Sequence, residues 1–188
     1  MARPRDPEID RRIVEACVVL LDEVGRHRLT REQVARRAGV SLPALIRRYD
    51  SVDAIILEIA RTPPRRDGPA PEVTSLRTFL VAALTRTART FAERTNRRAV
   101  AELLAAAAGD ERIDAAFRAT LDTLRTEGAG WIEHARSSGE IRPDVDADSL
   151  LDLLAGAAYY PMLWRDRVIT AAEVEPIVDL LLRGAAPR

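Results

Sequence analysis

The chain has 188 residues, 47% of them hydrophobic and only 4% aromatic, with one cysteine and a formal net charge of zero. A chain of this length buries about two thirds of its unfolded surface, so it needs no metal to fold, and a single cysteine excludes an intrachain disulfide. No apolar run approaches the roughly 18 residues that span a membrane, and no secretory leader is recognisable. We therefore expect a soluble cytoplasmic protein.

The charge is unevenly distributed along the chain. All 29 basic residues are arginine; residues 1–48 hold eleven of them against seven acids, and the remainder holds eighteen against twenty-two. A basic N-terminal part on an acidic remainder is typical of proteins that bind a polyanion, although an ordinary solvated surface is the alternative.

The composition favours helices, because alanine, leucine and arginine dominate and all three have high helix propensity. Stretches that alternate β-branched or aromatic residues with polar ones, which would predict strands, are absent. In chain order, the first helix begins at the N-cap Asp6, with Pro7 at the first helical position, and ends at Gly25. We predict an all-α protein of about nine helices.

Two short helices and a tight turn are predicted next. Thr30 and Gln33 form a capping box for a second helix, which ends near Ala38. Gly39 permits the left-handed backbone that such a turn often needs. Ser41 caps a third helix.

Beyond this turn, Pro43 is tolerated in the first turn of the third helix, and Ser51 caps a fourth helix that runs to about Arg61. The segment TPPRRDGPAP then contains four prolines and cannot form a regular helix. We predict a head at 1–61, a proline-rich linker at 62–74 and a body at 75–188.

The body predicts helices near 75–95, 97–108, 111–137, 147–165 and 171–184. Asp146 or Asp148 caps the fourth of these, and Thr170 with Glu173 forms a capping box for the last. Pro161 and Pro176 fall inside predicted helices, so we expect a kink or an early stop at each.

The sequence resembles the TetR family of bacterial transcriptional regulators. The residues that carry the likeness are IVEACVVLLDEVG, then LTREQVARRAGVSLPALIRRYDSVDAII, and, in the body, GEIRPDVDADSLLDLLAGAAYYPMLW with DLLLRG. The resemblance implies a three-helix helix-turn-helix head on a helical ligand-binding and dimerisation body. It also implies a homodimer that binds double-stranded DNA at a near-palindromic operator and is released by a small-molecule inducer, with no cofactor.

A helix-turn-helix places its second helix in the major groove, where the first residues of that helix face the base edges. Here those residues are apolar, so they suit thymine methyl groups rather than hydrogen bonding to purines. The flanking arginines and the capping hydroxyl groups suit phosphates. The predicted DNA-binding residues are Thr30, Ser41, Leu42, Pro43, Ala44, Arg47, Arg48, Tyr49 and Ser51, with Arg3 and Arg5 in a basic arm.

Two positions depart from the family pattern. Ile46 stands where the family commonly has tyrosine, and Val52 where it commonly has lysine. These departures motivate an alternative function, that of an all-helical small-molecule binding protein whose head has lost specific DNA binding.

Apolar positions on the body helices form the core or line a cavity between helices, which is where a bundle holds a ligand. The predicted ligand-binding residues are Phe91, Leu103, Phe117, Leu121, Trp131 and His134.

The last two helices are apolar and rich in small residues, which lets helices approach closely. The resemblance implies a four-helix dimer interface there, and a purely intrachain core is the alternative. The predicted interface residues are Leu151, Leu154, Ala155, Ala158, Tyr159, Met162, Val178, Leu181 and Leu182.

No catalytic or metal-binding pattern is present. The acidic run at Asp144–Asp148 lacks the glycine and the glutamate of a calcium loop, and His27 and His134 have no zinc-ligand spacing around them. Nucleophile and nucleotide-binding fingerprints are also missing, so we predict that the protein is not an enzyme.

Overall fold

The computed structural model describes residues 6–62 and 72–187. In that part of the chain it contains nine α-helices, one short 3₁₀ helix and no strand, which confirms the all-α prediction. The helices are α1 Pro7–Val24, α2 Arg31–Ala38, α3 Leu42–Ile46, α4 Val52–Arg61, α5 Leu76–Ala92, α6 Arg94–Ala107, α7 Glu111–Ser137, α8 Ala147–Arg165 and α9 Ala171–Ala185. The predictions for Arg3, Arg5 and most of the linker lie outside the described residues.

The helices begin where the capping side chains predict. The Asp6 carboxylate accepts a hydrogen bond from the Glu8 N–H at 3.0 Å, and the Asp146 carboxylate accepts one from the Ser149 N–H at 2.8 Å. At the start of α9, the Thr170 N–H donates to the Glu173 carboxylate at 2.8 Å. Each of these bonds satisfies a backbone donor that the first turn of a helix leaves without a partner.

The two prolines within α8 and α9 do not end their helices. Pro161 lies inside Ala147–Arg165 and Pro176 inside Ala171–Ala185, so the expectation of an early stop is wrong. Buried residues lie close to each proline, Ala158 and Met162 in α8 and Val174 and Val178 in α9. Their packing offsets the one backbone hydrogen bond that each proline removes.

The described chain forms two compact units. The first contains α1 to α4 together with residues 94–120, which are α6 and the beginning of α7. Its core gathers apolar residues from all of these helices: Ile13, Cys17, Leu21, Val34, Leu45, Tyr49, Ile55, Ile56, Leu103, Ala106 and Ile113. The compact units therefore do not follow the division at residues 62–74.

Polar contacts also connect α6 to the end of α1 within the first unit. The Thr95 hydroxyl donates to the Asp22 carboxylate at 3.3 Å. The Arg26 N–H, just after α1, donates to the Glu102 carboxylate at 3.3 Å. Helix α6 is thus part of the same packed body as the N-terminal helices.

The second unit contains α5, the remainder of α7, α8 and α9. The segment between α7 and α8 holds the end of α9 through Arg142. Its guanidinium donates to the Gly184 carbonyl at 2.6 Å, and its N–H donates to the Ala185 carbonyl at 2.9 Å. Because the last carbonyls of a helix have no partner within it, Arg142 supplies the C-terminal cap of α9.

Candidate nucleic-acid interface

The turn between α2 and α3 depends on a left-handed glycine. Gly39 has φ 64° and ψ 37°, and its N–H donates to the Arg36 carbonyl at 3.3 Å. At the start of α2, the Gln33 N–H donates to the Thr30 hydroxyl at 3.3 Å and the Thr30 N–H donates to the Gln33 side-chain oxygen at 2.8 Å. At the start of α3, the Ser41 hydroxyl accepts from the Ala44 N–H at 3.3 Å. Both short helices thus have defined starts, and the glycine sets the angle between them.

Arg12 on α1 holds this turn from outside it. Its Nη2 donates to the carbonyl oxygens of Ala38 and Gly39, the latter at 2.9 Å. A Cβ atom at Gly39 would lie 2.6 Å from that same nitrogen. The left-handed backbone therefore favours glycine at this position, and a Cβ atom would displace the end of the Arg12 side chain.

Helix α3 is only five residues long and presents an apolar outer face. Leu45 is fully buried and anchors the helix, whereas Pro43 and Ile46 are exposed and Leu42 and Ala44 are half-buried. Leu42 also packs against the core of the first unit. None of these four residues carries a side-chain hydrogen-bonding group.

The other predicted DNA-binding residues divide between surface and core. Thr30, Ser41, Arg47 and Ser51 are exposed, as a phosphate contact requires. Tyr49 is only 7% exposed and belongs to the core of the first unit. Tyr49 packs in the same core as Leu45 of α3, so its ring does not face outward towards a duplex.

Most arginines of the first unit are already engaged within the chain. Arg37 pairs with Glu23 at 2.7 Å, Arg31 donates to the Asp50 carbonyl at 2.5 Å, and the Arg48 Nε lies 3.7 Å from an oxygen of Asp10. Their guanidinium groups are therefore held by the protein's own acids and carbonyls.

Two exposed arginines near the turn differ from these. Within residues 6–62 and 72–187, the guanidinium groups of Arg36 and Arg47 make no intrachain hydrogen bond or ion pair. Arg48 is among the DNA-binding residues predicted from the sequence, and Arg36 is not. No sequence signal separates them, because only the fold shows that Arg37 and Arg48 meet acids and that Arg36 and Arg47 do not.

The six predicted ligand-binding residues fall in two different units. Leu103 and Phe117 pack in or against the core of the first unit, whereas Phe91, Leu121, Trp131 and His134 belong to the second. In the second unit the Phe91 and Tyr159 rings meet edge-on with their centroids 4.9 Å apart, and the Trp131 and His134 ring centroids are 6.5 Å apart. Burial raises the pKa of Tyr159.

An open groove also lies on the second unit. It has a volume of about 490 Å³ and is lined by Glu140, Ile141, Asp179, Leu182, Arg183 and Ala186. None of these residues is among the predicted ligand-binding residues.

No group of three or more histidine, cysteine or acidic residues in the described part of the chain is arranged to hold a metal ion. None of the described helices is long and apolar enough to cross a membrane.

The predicted interface residues of α8 and α9 are mostly turned inward. Leu154, Ala158, Met162 and Val178 are buried within the second unit, Leu151, Tyr159, Leu181 and Leu182 are half-buried, and Ala155 is exposed. The large apolar side chains that face outward are different residues: Leu153 and Tyr160, 61% and 58% exposed, and Trp164 and Leu180, 70% and 67% exposed. The Tyr160 and Trp164 rings stack at 5.6 Å.

The chain is similar to known regulators over nearly its whole length. Residues 70–181 match the family described as tetracyclin repressor-like, C-terminal domain. The uncharacterised HTH-type transcriptional regulator YdeS of Bacillus subtilis strain 168 is 26% identical over 183 residues, which cover 97% of this chain and 92% of YdeS.

Solved structures extend this similarity to the fold. The TetR family transcription regulator SCO0332 is 31% identical, with a TM-score of 0.60, over 96% of this chain and all of that one. FadR from Bacillus subtilis, solved with stearoyl-CoA, shares the fold at 14% identity and a TM-score of 0.73, over 93% of this chain and 98% of FadR. Because the family match spans more than half of the chain and the identity to SCO0332 extends over almost all of it, the protein belongs to the TetR family of ligand-responsive, DNA-binding transcriptional regulators, which are not enzymes.

Proposed function

We propose that the protein is a homodimeric cytoplasmic repressor that binds a near-palindromic operator and is released by a small-molecule inducer. The observation that carries the proposal is the α2–α3 turn, in which Gly39 and Arg12 fix the angle between two capped short helices. Such an arrangement presents one helix to the major groove. Arg36 and Arg47, which are exposed and whose guanidinium groups have no intrachain partner in the described structure, supply charge for phosphates.

The DNA contacts follow from which side chains are accessible. Thr30, Ser41 and Ser51 position the first unit through the phosphates, together with Arg36 and Arg47. Arg48 takes part only when its contact with Asp10 is exchanged for one with DNA. The apolar outer face of α3 meets the base edges.

The proposed dimer surface is the outward stripe Leu153, Tyr160, Trp164 and Leu180, which we call the α8–α9 stripe. On α8, Tyr160 follows Leu153 by seven residues and Trp164 follows Tyr160 by four, which is the spacing of one helix face. Gly156 lies between Leu153 and Tyr160 in the chain, is exposed, and has nothing within 4 Å of an added Cβ. A monomer rarely exposes so many large apolar groups together. The predicted residues Leu154, Ala158, Met162 and Val178 are buried within the second unit.

The dimer proposal is tested by charge. Trp164→Glu combined with Leu180→Glu should give a monomer of unchanged helix content, measured by light scattering and circular dichroism. Arg89→Glu, at an exposed position on α5, should remain a dimer. A dimer that persists in the double variant would show that the α8–α9 stripe is not the interface.

The inducer is proposed to bind in the second unit near Phe91, Leu121, Trp131 and His134. The apolar and aromatic character of these side chains suits an apolar ligand with a polar group near the imidazole. Trp131 and Trp164 are the two tryptophans of the chain, so Trp164→Phe leaves Trp131 as the sole indole reporter. Quenching or a spectral shift of Trp131 emission on addition of a ligand would locate binding there.

The function itself is tested by fluorescence anisotropy of the protein on duplex DNA from upstream of its own gene, against a shuffled duplex, in a salt series. With about eight phosphates neutralised per dimer, the logarithm of affinity should fall with a slope near −7 against the logarithm of salt concentration. Arg47→Ala removes one contact per protomer and should reduce that slope by about 2, whereas Arg89→Ala should leave it unchanged.

The alternative of a small-molecule binding protein without specific DNA recognition is favoured by the exposed Ile46 and by the engagement of Arg48 with Asp10. Equal, weak binding to both duplexes, and no enriched sequence after selection from random duplexes, would favour it over the repressor proposal.

A further inference from the structure

The outer face of α3 has an unusual chemistry for a surface that meets base edges. Ile46 is 43% exposed and Pro43 is exposed beside it, one turn earlier on the helix. Leu45, the one large apolar residue between them, is fully buried and fixes the helix in this orientation. The apolar exposure is therefore set by the packing of α3 and not by fraying of a loose end.

One of the two arginines that follow this face is withdrawn from it. The Arg48 side chain is only 14% exposed, and its Nε lies 3.7 Å from an oxygen of Asp10, whose side chain is 24% exposed. The Ser41 hydroxyl accepts from the Ala44 N–H at 3.3 Å. Bidentate hydrogen bonding to a guanine or an adenine is therefore not available from the outward side chains of α3.

One base edge in the major groove is apolar. Thymine presents a C5-methyl group there, whereas the other bases present only donors, acceptors and ring hydrogens. An exposed isoleucine gains by removing its own surface and that methyl group from water, and it gains nothing comparable from a guanine or cytosine edge. Exposed Arg47, the next residue in the chain, supplies the positive charge that holds such a face against DNA.

We propose that Ile46 and Pro43 read thymine C5-methyl groups in each operator half-site, so that sequence preference in the bases facing α3 comes from methyl contacts. This inference rests on the proposed function, because it requires that α3 enter the major groove. It assigns Ile46, which departs from the family pattern, a role as the specificity-determining residue of this chain.

The expected effect follows from the size of one methyl group. Removing one buried methyl contact weakens binding about fourfold, which corresponds to about 0.8 kcal/mol. In a symmetric operator the change occurs in both half-sites, so the combined loss is about fifteenfold.

The experiment uses the full-length protein and an operator selected from random-sequence duplexes. Each symmetric pair of thymines is then replaced by deoxyuridine, which removes the methyl group and keeps every hydrogen-bonding group. We expect one or two pairs to weaken binding by about ten- to twentyfold, with the remaining pairs unaffected. Ile46→Ala should bind the thymine duplex less tightly and should lose the sensitivity to deoxyuridine at those pairs.

The control variant is Arg47→Ala, which should weaken binding to the thymine and deoxyuridine duplexes by the same factor. Specific binding that is equally tight to every deoxyuridine duplex would overturn the methyl readout and leave the proposed function standing. A deoxyuridine effect that persists in Ile46→Ala would overturn the assignment to Ile46. No enriched sequence, with equal binding to shuffled DNA, would overturn the proposed function and this inference together.

Discussion

Replacing Gly39 with alanine should destabilise the protein through two separable effects. The first is backbone strain, because an alanine at φ 64° costs about 1–2 kcal/mol relative to glycine. The second is displacement of Arg12, whose Nη2 would lie 2.6 Å from the new Cβ. Arg12 is half-buried, so weakening its charge-assisted hydrogen bonds to the Ala38 and Gly39 carbonyls costs about 1–2 kcal/mol more.

The combined loss of about 3 kcal/mol should lower the melting temperature by about 6–12 °C, measured by circular dichroism at 222 nm. Gly139→Ala is the matched control, because Gly139 has φ 76° and nothing within 4 Å of an added Cβ. It should lose only the backbone share, about 1–2 kcal/mol.

A double-mutant comparison isolates the second effect. In an Arg12→Ala background, Gly39→Ala should cost no more than Gly139→Ala does in the wild-type protein. Equal costs for Gly39→Ala and Gly139→Ala in the wild-type background would refute the role of Arg12, and so would a Gly39→Ala cost that is unchanged without Arg12.

Further expectations concern four other residues. Burial raises the pKa of the Cys17 thiol to about 12, so the native protein should resist iodoacetamide at pH 8 and react only in denaturant. Because that folded pKa lies above the unfolded value of about 9, the contribution of the thiol to stability is complete below pH 9 and is lost as pH rises towards 12. The free energy of unfolding measured in urea should therefore be lower at pH 10 than at pH 7. Hydrogen bonds from the Thr170 N–H and from Arg167 lower the pKa of Glu173 to about 2, so the start of α9 should weaken only as pH falls below about 4 towards 2, followed by NMR of the Thr170 amide. Leu103→Ala should cost about 3 kcal/mol in urea unfolding because the side chain is core, and half-buried Leu104→Ala should cost clearly less; equal costs would argue against this packing. Arg142→Ala should lower the melting temperature by about 3–6 °C by uncapping α9, whereas Arg183→Ala should change it little.

Local structure was predictable because it is determined by short-range chemistry. Asp6, Thr30, Ser41, Ser51 and Asp146 each cap the helix that the sequence predicts, since a capping side chain bonds to a donor only two or three residues away. Gly39 is likewise left-handed as expected. These signals lie entirely within a few consecutive residues.

What could not be predicted depends on which surfaces meet. Helical spacing predicts that Leu103 lies on the apolar face of its helix, but only the fold shows that it packs in the same core as residues of α1. On α8, apolar residues occur on several sides, so Leu153 and Leu154 are equivalent in the sequence although one is exposed and the other buried. In the same way, nothing local decides that Arg48 meets Asp10 while Arg47 faces outward.

The guanidinium of Arg12 makes the helix-turn-helix dependent on a residue that lies 26 positions before the first carbonyl it holds. A chimera that grafts only Thr30–Ser51 of this chain onto another regulator would lack this support unless the host carries an equivalent arginine. Exchange of operator specificity between regulators would then fail through a misaligned turn, even with every DNA-contacting side chain present. The smallest portable reading element of this protein therefore extends back to α1.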